Sequence, residues 1–315
     1  MATVLITGGT GMIGKALGAM LLDKGYEVIV LTRRPGARGK QAESKLSFAA
    51  WDVDAQTIDI NAVQRADYIV HLAGAGVADK RWSKKRKKEI ADSRVNGCGL
   101  IIKTLKENRN KVKAVVCASA IGWYGPDPVV PNTKPFAETD PVDKDFLGDT
   151  CRRWEAAIAP AAALGKRLVI LRTGIVLSNE GGALAEFKKP LRLGVATVLG
   201  GGAQVVSWVH IDDLCRMYLK AIEDHTLQGV YNAVSPKPVS HKTLVLQLAR
   251  AMRGKFYVPL HVPSFVLKMV LGEMSIEVLK SATVSANKIR TAGFDFIYPS
   301  IEAAINALAH PVSRP

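Results

Sequence analysis

One stretch near the start of the chain decides the predicted fold: Val4-Leu5-Ile6-Thr7-Gly8-Gly9-Thr10-Gly11-Met12-Ile13-Gly14. An apolar run leads into a glycine-dense turn, which leads into residues 15–22 with apolar side chains at helical spacing. In a strand–loop–helix unit, glycines let the backbone approach a pyrophosphate, and the helix N-terminus offers free N–H groups. The stretch therefore predicts a dinucleotide-binding turn rather than an ordinary glycine-rich connection.

Alternating strand and helix patterns continue for about half of the chain. They predict an α/β fold with a Rossmann-type, doubly wound parallel sheet. The predicted strands after the first are residues 26–31, 46–51, 66–72, 112–119 and 166–172. A helix is predicted over residues 146–164. Beyond Gly174 the elements become shorter and glycine clusters appear, so we expect a dinucleotide-binding domain at 1–174. Residues 175–315 then form a smaller α+β substrate lobe, parts of which can pack back on the first domain.

The end of the second strand indicates which dinucleotide is bound. NAD sites usually place an acidic residue about 20 residues past the glycine loop, where it binds the ribose hydroxyls. This chain has Thr32, Arg33 and Arg34 there instead. Guanidinium groups match a phosphate, which favours NADP(H) over NAD. The alternative is a pair of solvated arginines.

Small and polar residues end the next two strands. Asp52 and Val53 follow the third strand, where they could contact adenine or form a plain turn. Leu72, Ala73 and Gly74 follow the fourth, and small residues at that edge let a cofactor lie against the backbone. The predicted cofactor-binding residues are Gly8, Thr10, Gly11, Met12, Ile13, Gly14, Thr32, Arg33, Arg34, Asp52, Val53, Leu72, Ala73, Gly74 and Gly174.

The chain is strongly basic, with a formal net charge of +15 over 315 residues. Part of this charge lies in the run Lys80-Arg81-Trp82-Ser83-Lys84-Lys85-Arg86-Lys87-Lys88. Such a run can attract nucleic acid or an anionic membrane, but a solvated helix face is the favoured interpretation. No zinc-finger spacing or RNA-binding signature accompanies it, so we expect no nucleic-acid partner.

The remaining composition favours a cytoplasmic protein. Its four cysteines form no C-x-x-C pair, so they predict reduced, buried thiols rather than a metal site or a disulfide framework. The N-terminus has no basic n-region or cleavage site, and no run approaches the roughly 20 apolar residues of a membrane span. We therefore expect no membrane partner, while a homodimer remains open.

Several motifs resemble the extended short-chain dehydrogenase/reductases. The glycine loop, His-Leu-Ala-Gly at 71–74, Ser119 and Trp-Val-His-Ile-Asp-Asp-Leu at 208–214 carry this resemblance. An atypical epimerase-like branch, some of whose members are labelled cell-division inhibitors, is similar over nearly the whole chain. The closer likeness lies in residues 81–94, 118–125, 146–155, 171–178, 179–184 and 285–299. The resemblance implies a Rossmann region, a smaller lobe that closes over the nicotinamide, and NADP(H).

The resemblance also exposes a departure. The family uses Tyr-x-x-x-Lys as its proton-transfer pair, and alignment on Trp154-Glu155 puts Leu147 and Cys151 at those positions. An inert buried thiol is the favoured interpretation of Cys151. The catalytic candidates are Ser119, as a substrate hydrogen-bonding group, and Tyr124, as a proton donor or as a packing residue.

Four other polar residues receive predictions near the same edge. His210 can titrate near neutrality or be structural, and Asp212 is expected to cap the next helix. The resemblance implies that Arg94 and Asn96 hold the loop that bears the cofactor.

Two functions are compatible with this sequence. The first is an NADP(H)-dependent oxidoreductase or epimerase that acts on a small carbonyl or hydroxyl compound by hydride transfer, with a proton from Tyr124 or an ordered water. The second is a redox-inert NADP(H)-binding sensor or partner-binding regulatory protein, which the missing Tyr and Lys favour.

Overall fold

A computed structural model describes residues 1–35 and 45–310 of the chain. Its strands are β1 Thr3–Thr7, β2 Glu27–Thr32, β3 Leu46–Asp52, β4 Thr57–Ile58, β5 Tyr68–His71, β6 Ala114–Ala120, β7 Arg167–Thr173, β8 Ile175–Leu177, β9 Val195–Leu199, β10 Val205–Val206, β11 Trp208–His210, β12 Gly229–Ala233, β13 Val239–Ser240 and β14 Val258–Val262. Eight of them form the main sheet, in the order β12-β7-β6-β5-β1-β2-β3-β4. All neighbouring strands in this sheet run parallel except β3 and β4.

Helices connect most of these strands and cover both faces of the main sheet. Short 3-10 helices at Ile121–Trp123 and Gly272–Met274 add to them. The α-helices are α1 Met12–Asp23, α2 Ile60–Arg65, α3 Lys84–Glu107, α4 Phe146–Ile158, α5 Pro160–Ala163, α6 Gly182–Leu191, α7 Ile211–Glu223, α8 His241–Arg253, α9 Ser264–Leu271, α10 Ser275–Leu279, α11 Asn287–Thr291 and α12 Ile301–Ala309. The predicted doubly wound α/β fold is confirmed.

The alternation of side chains along the central strands explains the two layers of helices. Val4 and Ile6 of β1 belong to one hydrophobic core, whereas Leu5 between them belongs to the core on the opposite face. Successive side chains of a strand point to opposite faces, so a strand that is apolar on both faces needs cover on both sides. All five residues of β1 are buried.

Local sequence sets the helix boundaries near the site. The side chains of Ser83 and Asp145 accept hydrogen bonds from the first turns of α3 and α4, respectively. The predicted helix over 146–164 is divided after Ile158. Pro160 begins the second piece, because proline lacks an N–H donor and suits the first turn of a new helix.

The C-terminal segment divides between the main sheet and a smaller lobe. Strand β12 pairs in parallel with β7. The lobe itself has its own core, which includes Leu184, Trp208, Leu244 and Ile305. The chain after residue 174 thus leaves the main sheet and returns to it through β12 before completing the lobe.

Two kinds of feature are absent from residues 1–35 and 45–310. No helix there combines the length and the apolar character needed to cross a membrane. No group of three or more His, Cys, Asp or Glu side chains is arranged to hold a metal ion in the same part of the chain.

Candidate cofactor and active site

The glycine loop lies at the carboxyl edge of the sheet, where β1 ends between β5 and β2. Gly8 has φ +70°, and a Cβ on it would lie 2.9 Å from the Ala73 nitrogen. A Cβ on Gly14 would collide with the Gly8 carbonyl oxygen. The N-terminus of α1 begins after Gly11 without a side-chain cap. Uncapped N–H groups at a helix start fit a pyrophosphate.

Thr7 fixes the neighbouring strand end against this loop. Its Oγ1 accepts hydrogen bonds from the N–H groups of Leu72 and Ala73, at 3.1 and 3.2 Å. The same oxygen lies 2.7 Å from Nδ1 of buried His71. The sequence analysis did not predict this role of Thr7. A polar residue at the end of a buried strand, directly before the first glycine of the loop, is the signal that could have indicated it.

The residues that end β2 and β3 reach the same edge. Arg33 and Arg34 are exposed, and neither is in an ion pair with any residue of the described ranges. The Thr32 Oγ1 accepts the Arg34 N–H at 3.3 Å. Asp52 Oδ1 accepts hydrogen bonds from the N–H groups of Asp54 and Ala55. This oxygen therefore closes a turn, which is one of the two predicted roles of Asp52, the other being a contact with adenine.

A cavity of about 520 Å³ lies beside the end of β3. Val53 and Asp54 line one side of it, while Val95 and Asn96 of α3 line another. Asn96 is exposed there. Its predicted role in holding the cofactor loop has no hydrogen bond to support it within the described residues.

Arg94 does hold that loop. Its Nη1 donates to the Ala75 carbonyl at 3.0 Å and to the Ile90 carbonyl at 2.8 Å. The guanidinium carbon lies 4.9 Å from the centre of the Trp154 ring. Burial lowers the pKa of Arg94, and the nearby Cys151 thiol acts in the opposite sense. An arginine stays charged through such a shift, so a fixed positive charge lies beside the loop of residues 74–76.

Ser119 is committed to a buried ion pair. Its hydroxyl donates to Glu155 Oε1 at 2.7 Å, and the residue is 3% exposed. Both carboxylate oxygens of Glu155 accept from Arg172, at 2.8 and 2.9 Å. Burial lowers the pKa of Arg172, but hydrogen bonding and the charge of Glu155 outweigh it and leave that pKa raised.

Tyr124 extends the same network away from the edge. Its hydroxyl donates to Asn232 Oδ1 at 2.8 Å and accepts from Arg172 Nη1 at 3.1 Å, and the residue is 0% exposed. Burial raises the pKa of Tyr124 to about 12. The prediction that Tyr124 supplies a proton has no support in this geometry, because its only proton is donated internally. The packing alternative fits instead.

Leu147 and Cys151 lie on the first turns of α4, against the 3-10 helix after β6. A Cβ on Gly122 would be 3.1 Å from Leu147 and 3.7 Å from the Cys151 sulfur. The thiol lies 3.6 Å from the Ala120 carbonyl, and burial raises its pKa to about 12. A thiol held protonated is a poor nucleophile, which agrees with an inert Cys151.

Three remaining predictions concern Gly174, His210 and Asp212. His210 Nδ1 accepts the Asp212 N–H at 3.1 Å, so His210 caps α7 and Asp212 does not. Burial lowers the pKa of His210, whose ring packs 3.8 Å from that of Tyr298, in agreement with the structural alternative. A Cβ on Gly174 would lie 2.6 Å from the Ser207 carbonyl oxygen. Close packing therefore explains this glycine, and its cofactor contact stays a prediction.

Comparisons with known proteins identify the family. The model of the NAD dependent epimerase/dehydratase family matches residues 4–233, and a domain of unknown function, DUF1731, matches residues 262–308. The chain therefore belongs to the NAD dependent epimerase/dehydratase family. The first match ends at Ala233, the last residue of β12, and so coincides with the end of the main sheet.

Individual relatives agree with this assignment. An epimerase family protein of Staphylococcus saprophyticus is 35% identical over 98% of this chain and 100% of its own length. One of Staphylococcus aureus is 34% identical over 98% and 99%. A human epimerase family protein crystallised with NADPH has a TM-score of 0.84 and 28% identity, covering 98% of this chain and 100% of that one. A nucleoside-diphosphate sugar epimerase of Corynebacterium glutamicum has a TM-score of 0.75 and 31% identity, over 98% and 58%.

Proposed function

We propose that this protein is an NADP(H)-dependent oxidoreductase or epimerase of the cytoplasm that acts on a small carbonyl or hydroxyl compound. The observation that carries the proposal is the pairing of an uncapped helix terminus with two exposed arginines at the next strand end. The helix terminus suits the pyrophosphate, and Arg33 and Arg34 suit the 2′-phosphate. The human relative crystallised with NADPH supports the same choice.

Arg94 takes a positioning role in this proposal. The family pattern puts a lysine where this chain has Cys151, and the positive charge of Arg94 acts on that thiol. Its hydrogen bond to the Ala75 carbonyl fixes residues 74–76, the segment that follows β5. Arg94 therefore supplies positive charge and a rigid loop at the place where the family's lysine is missing.

The chemistry follows from what the side chains leave free. A bound nicotinamide supplies or accepts a hydride. The Ser119 hydroxyl already donates a hydrogen bond to Glu155, so its oxygen can only accept a hydrogen bond from a substrate hydroxyl. The Tyr124 hydroxyl is buried and hydrogen-bonded inside the protein as well. We therefore assign the proton that the substrate exchanges to an ordered water rather than to either side chain. The rest of the protein orients the reactants.

One observation favours a second function. Both catalytic candidates have their protons committed to Glu155 and Asn232, inside a buried network. A protein that binds NADP(H) without using it, as a sensor or regulatory partner, needs no proton donor. This alternative keeps the cofactor proposal and discards the hydride transfer.

A single experiment separates these possibilities. Purified protein is titrated with NADPH and then given a broad panel of aldehydes, ketones and nucleotide-linked ketosugars, with nicotinamide absorbance as the readout. Oxidation by any of these compounds supports the enzyme. Binding without oxidation across the panel supports the redox-inert alternative, and failure to bind NADPH contradicts both.

A further inference from the structure

Helix α9 (Ser264–Leu271) exposes the apolar side chains that a core helix would bury. Leu267 is its one buried residue. Phe265 and Met269 are each 68% exposed, and Val270 is 58% exposed. Strand β14 leads directly into the helix and exposes Val258 and Leu260 as well. An apolar surface of this kind marks an interaction site.

The fold brings the basic run of residues 80–88 to this helix. Arg81 Nη2 donates to the Met269 carbonyl at 3.4 Å. Lys87 Nζ lies 2.5 Å from an oxygen of Glu273, two residues beyond the end of α9. The run also contains the exposed side chains of Lys80, Lys84 and Lys85. We name α9 together with residues 80–88 the α9–basic surface.

The stretch of sequence that contains α9, residues 225–272, carries charged side chains of positive sign only. No Asp or Glu occurs between Asp224 and Glu273, whereas that segment contains six lysines and arginines. They are Lys237, Lys242, Arg250, Arg253, Lys255 and Lys268. The two acids that follow α9 are engaged: Glu273 with Lys87, and Glu277 with Lys280. Within the basic run, Arg86, Lys87 and Lys88 are paired with Asp79, Glu273 and Asp92. Lys80, Lys84 and Lys85 are exposed and form no ion pair within the described residues, so these lysines are the cations that accompany the apolar side chains.

We propose that the α9–basic surface docks on an anionic lipid bilayer. Apolar side chains can enter the boundary between headgroups and acyl chains while neighbouring cations attract the headgroups. A second copy of the chain would bring two positive surfaces together, and a nucleic acid offers no apolar layer for Phe265 and Met269. The expectation of no membrane partner rested on the absence of a spanning segment, which surface binding does not require, and on the interpretation of residues 80–88 as a solvated helix face, which this proposal replaces.

The test is vesicle flotation of the full-length protein. Vesicles of phosphatidylcholine alone are compared with vesicles containing one third phosphatidylglycerol. We expect binding to the anionic vesicles only, weakened by salt. The double variant Phe265→Glu, Met269→Glu should lower the affinity at least about tenfold, and Lys80→Ala and Lys84→Ala about fivefold each. Val129→Glu makes the same type of change at a residue that is 60% exposed elsewhere, and should bind like the wild type.

Other outcomes overturn the proposal. No binding, or equal binding to neutral vesicles, removes it. An affinity loss in Val129→Glu equal to that of the double variant makes the effect non-specific. Light scattering that shows a dimer in the wild type and a monomer in the double variant assigns the surface to a second copy instead. Phe265→Ser with Met269→Ser repeats the test without added charge if the glutamates disturb folding, as read by circular dichroism.

Discussion

Two polar regions lie at the carboxyl edge of the same sheet and differ in whether their groups are free. At β1 and β2, a helix terminus is uncapped and Arg33 and Arg34 are exposed. At β6 and β7, Ser119, Glu155 and Arg172 bind one another in the interior. Free groups at a glycine-lined edge suit a ligand, while mutually satisfied buried groups suit stability. Residue type alone does not separate these roles.

Glu155→Ala gives the largest effect expected, and it falls on stability. The change leaves the Arg172 guanidinium buried without its carboxylate, which costs about 3–5 kcal/mol of unfolding free energy. Denaturant unfolding measures it. The matched control is Asp149→Ala, which breaks the exposed ion pair between Asp149 and Arg152 on the same helix and should cost under about 1 kcal/mol. Equal losses would show that the network is not the stabilising element.

Gly14→Ala tests the region of free groups at the ends of β1 and β2. A Cβ there collides with the Gly8 carbonyl, so the loop must shift and NADPH affinity should fall about a hundredfold. Gly18→Ala is the control within the same helix. A Cβ on Gly18 meets nothing within 4 Å, and the change should leave affinity intact while stabilising α1 by roughly 0.5–1 kcal/mol. Titration of nicotinamide fluorescence gives both affinities. Similar values for the two variants would contradict the proposal that the glycine loop binds the pyrophosphate.

The double variant Arg33→Ala, Arg34→Ala tests the choice of dinucleotide. We expect NADPH affinity to fall about tenfold or more, because two charge-assisted contacts to a phosphate are lost, while NADH affinity stays within about twofold. Arg109→Ala removes one exposed arginine at the opposite edge and controls for the loss of a positive charge away from the site. Parallel loss for both dinucleotides would refute the 2′-phosphate assignment.

Tyr124→Phe has the smallest expected effect and tests the buried network at the ends of β6 and β7. It removes the hydroxyl that lies between Asn232 and Arg172, at an expected cost of about 1 kcal/mol of unfolding free energy. With a pKa of about 12, the tyrosine stays neutral through the ordinary pH range. NADPH affinity and any pH–rate profile below pH about 10 should therefore be unchanged. If the variant loses one limb of that profile, Tyr124 takes part in proton transfer and this account of it is contradicted.

Local patterns predicted the features that depend on local chemistry. The glycine loop, the succession of strands in the first half and the position of Arg33 and Arg34 follow from residues close together in the chain. Even the division of the predicted helix at 146–164 could have been foreseen from Pro160. The Arg94 contact with the loop came from the family resemblance and is confirmed by its bond to Ala75.

Long-range contacts explain what the sequence did not reveal. Tyr124 comes shortly after β6 in the chain, yet its hydroxyl donates a hydrogen bond in the interior to Asn232, more than a hundred residues later. That contact exists because β12, a strand of five residues, returns to pair with β7. Short strands give weak signals, so neither the pairing nor the burial of Tyr124 follows from local pattern. The exposed face of α9 likewise depends on what the fold leaves uncovered.

Direct titration of the wild-type protein with NADPH and with NADH tests the central claim, that the open edge holds a phosphorylated dinucleotide. The proposal predicts one saturable site per chain for NADPH and an affinity at least about tenfold weaker for NADH. Absence of saturable binding, or equal affinity for the two dinucleotides, would contradict it.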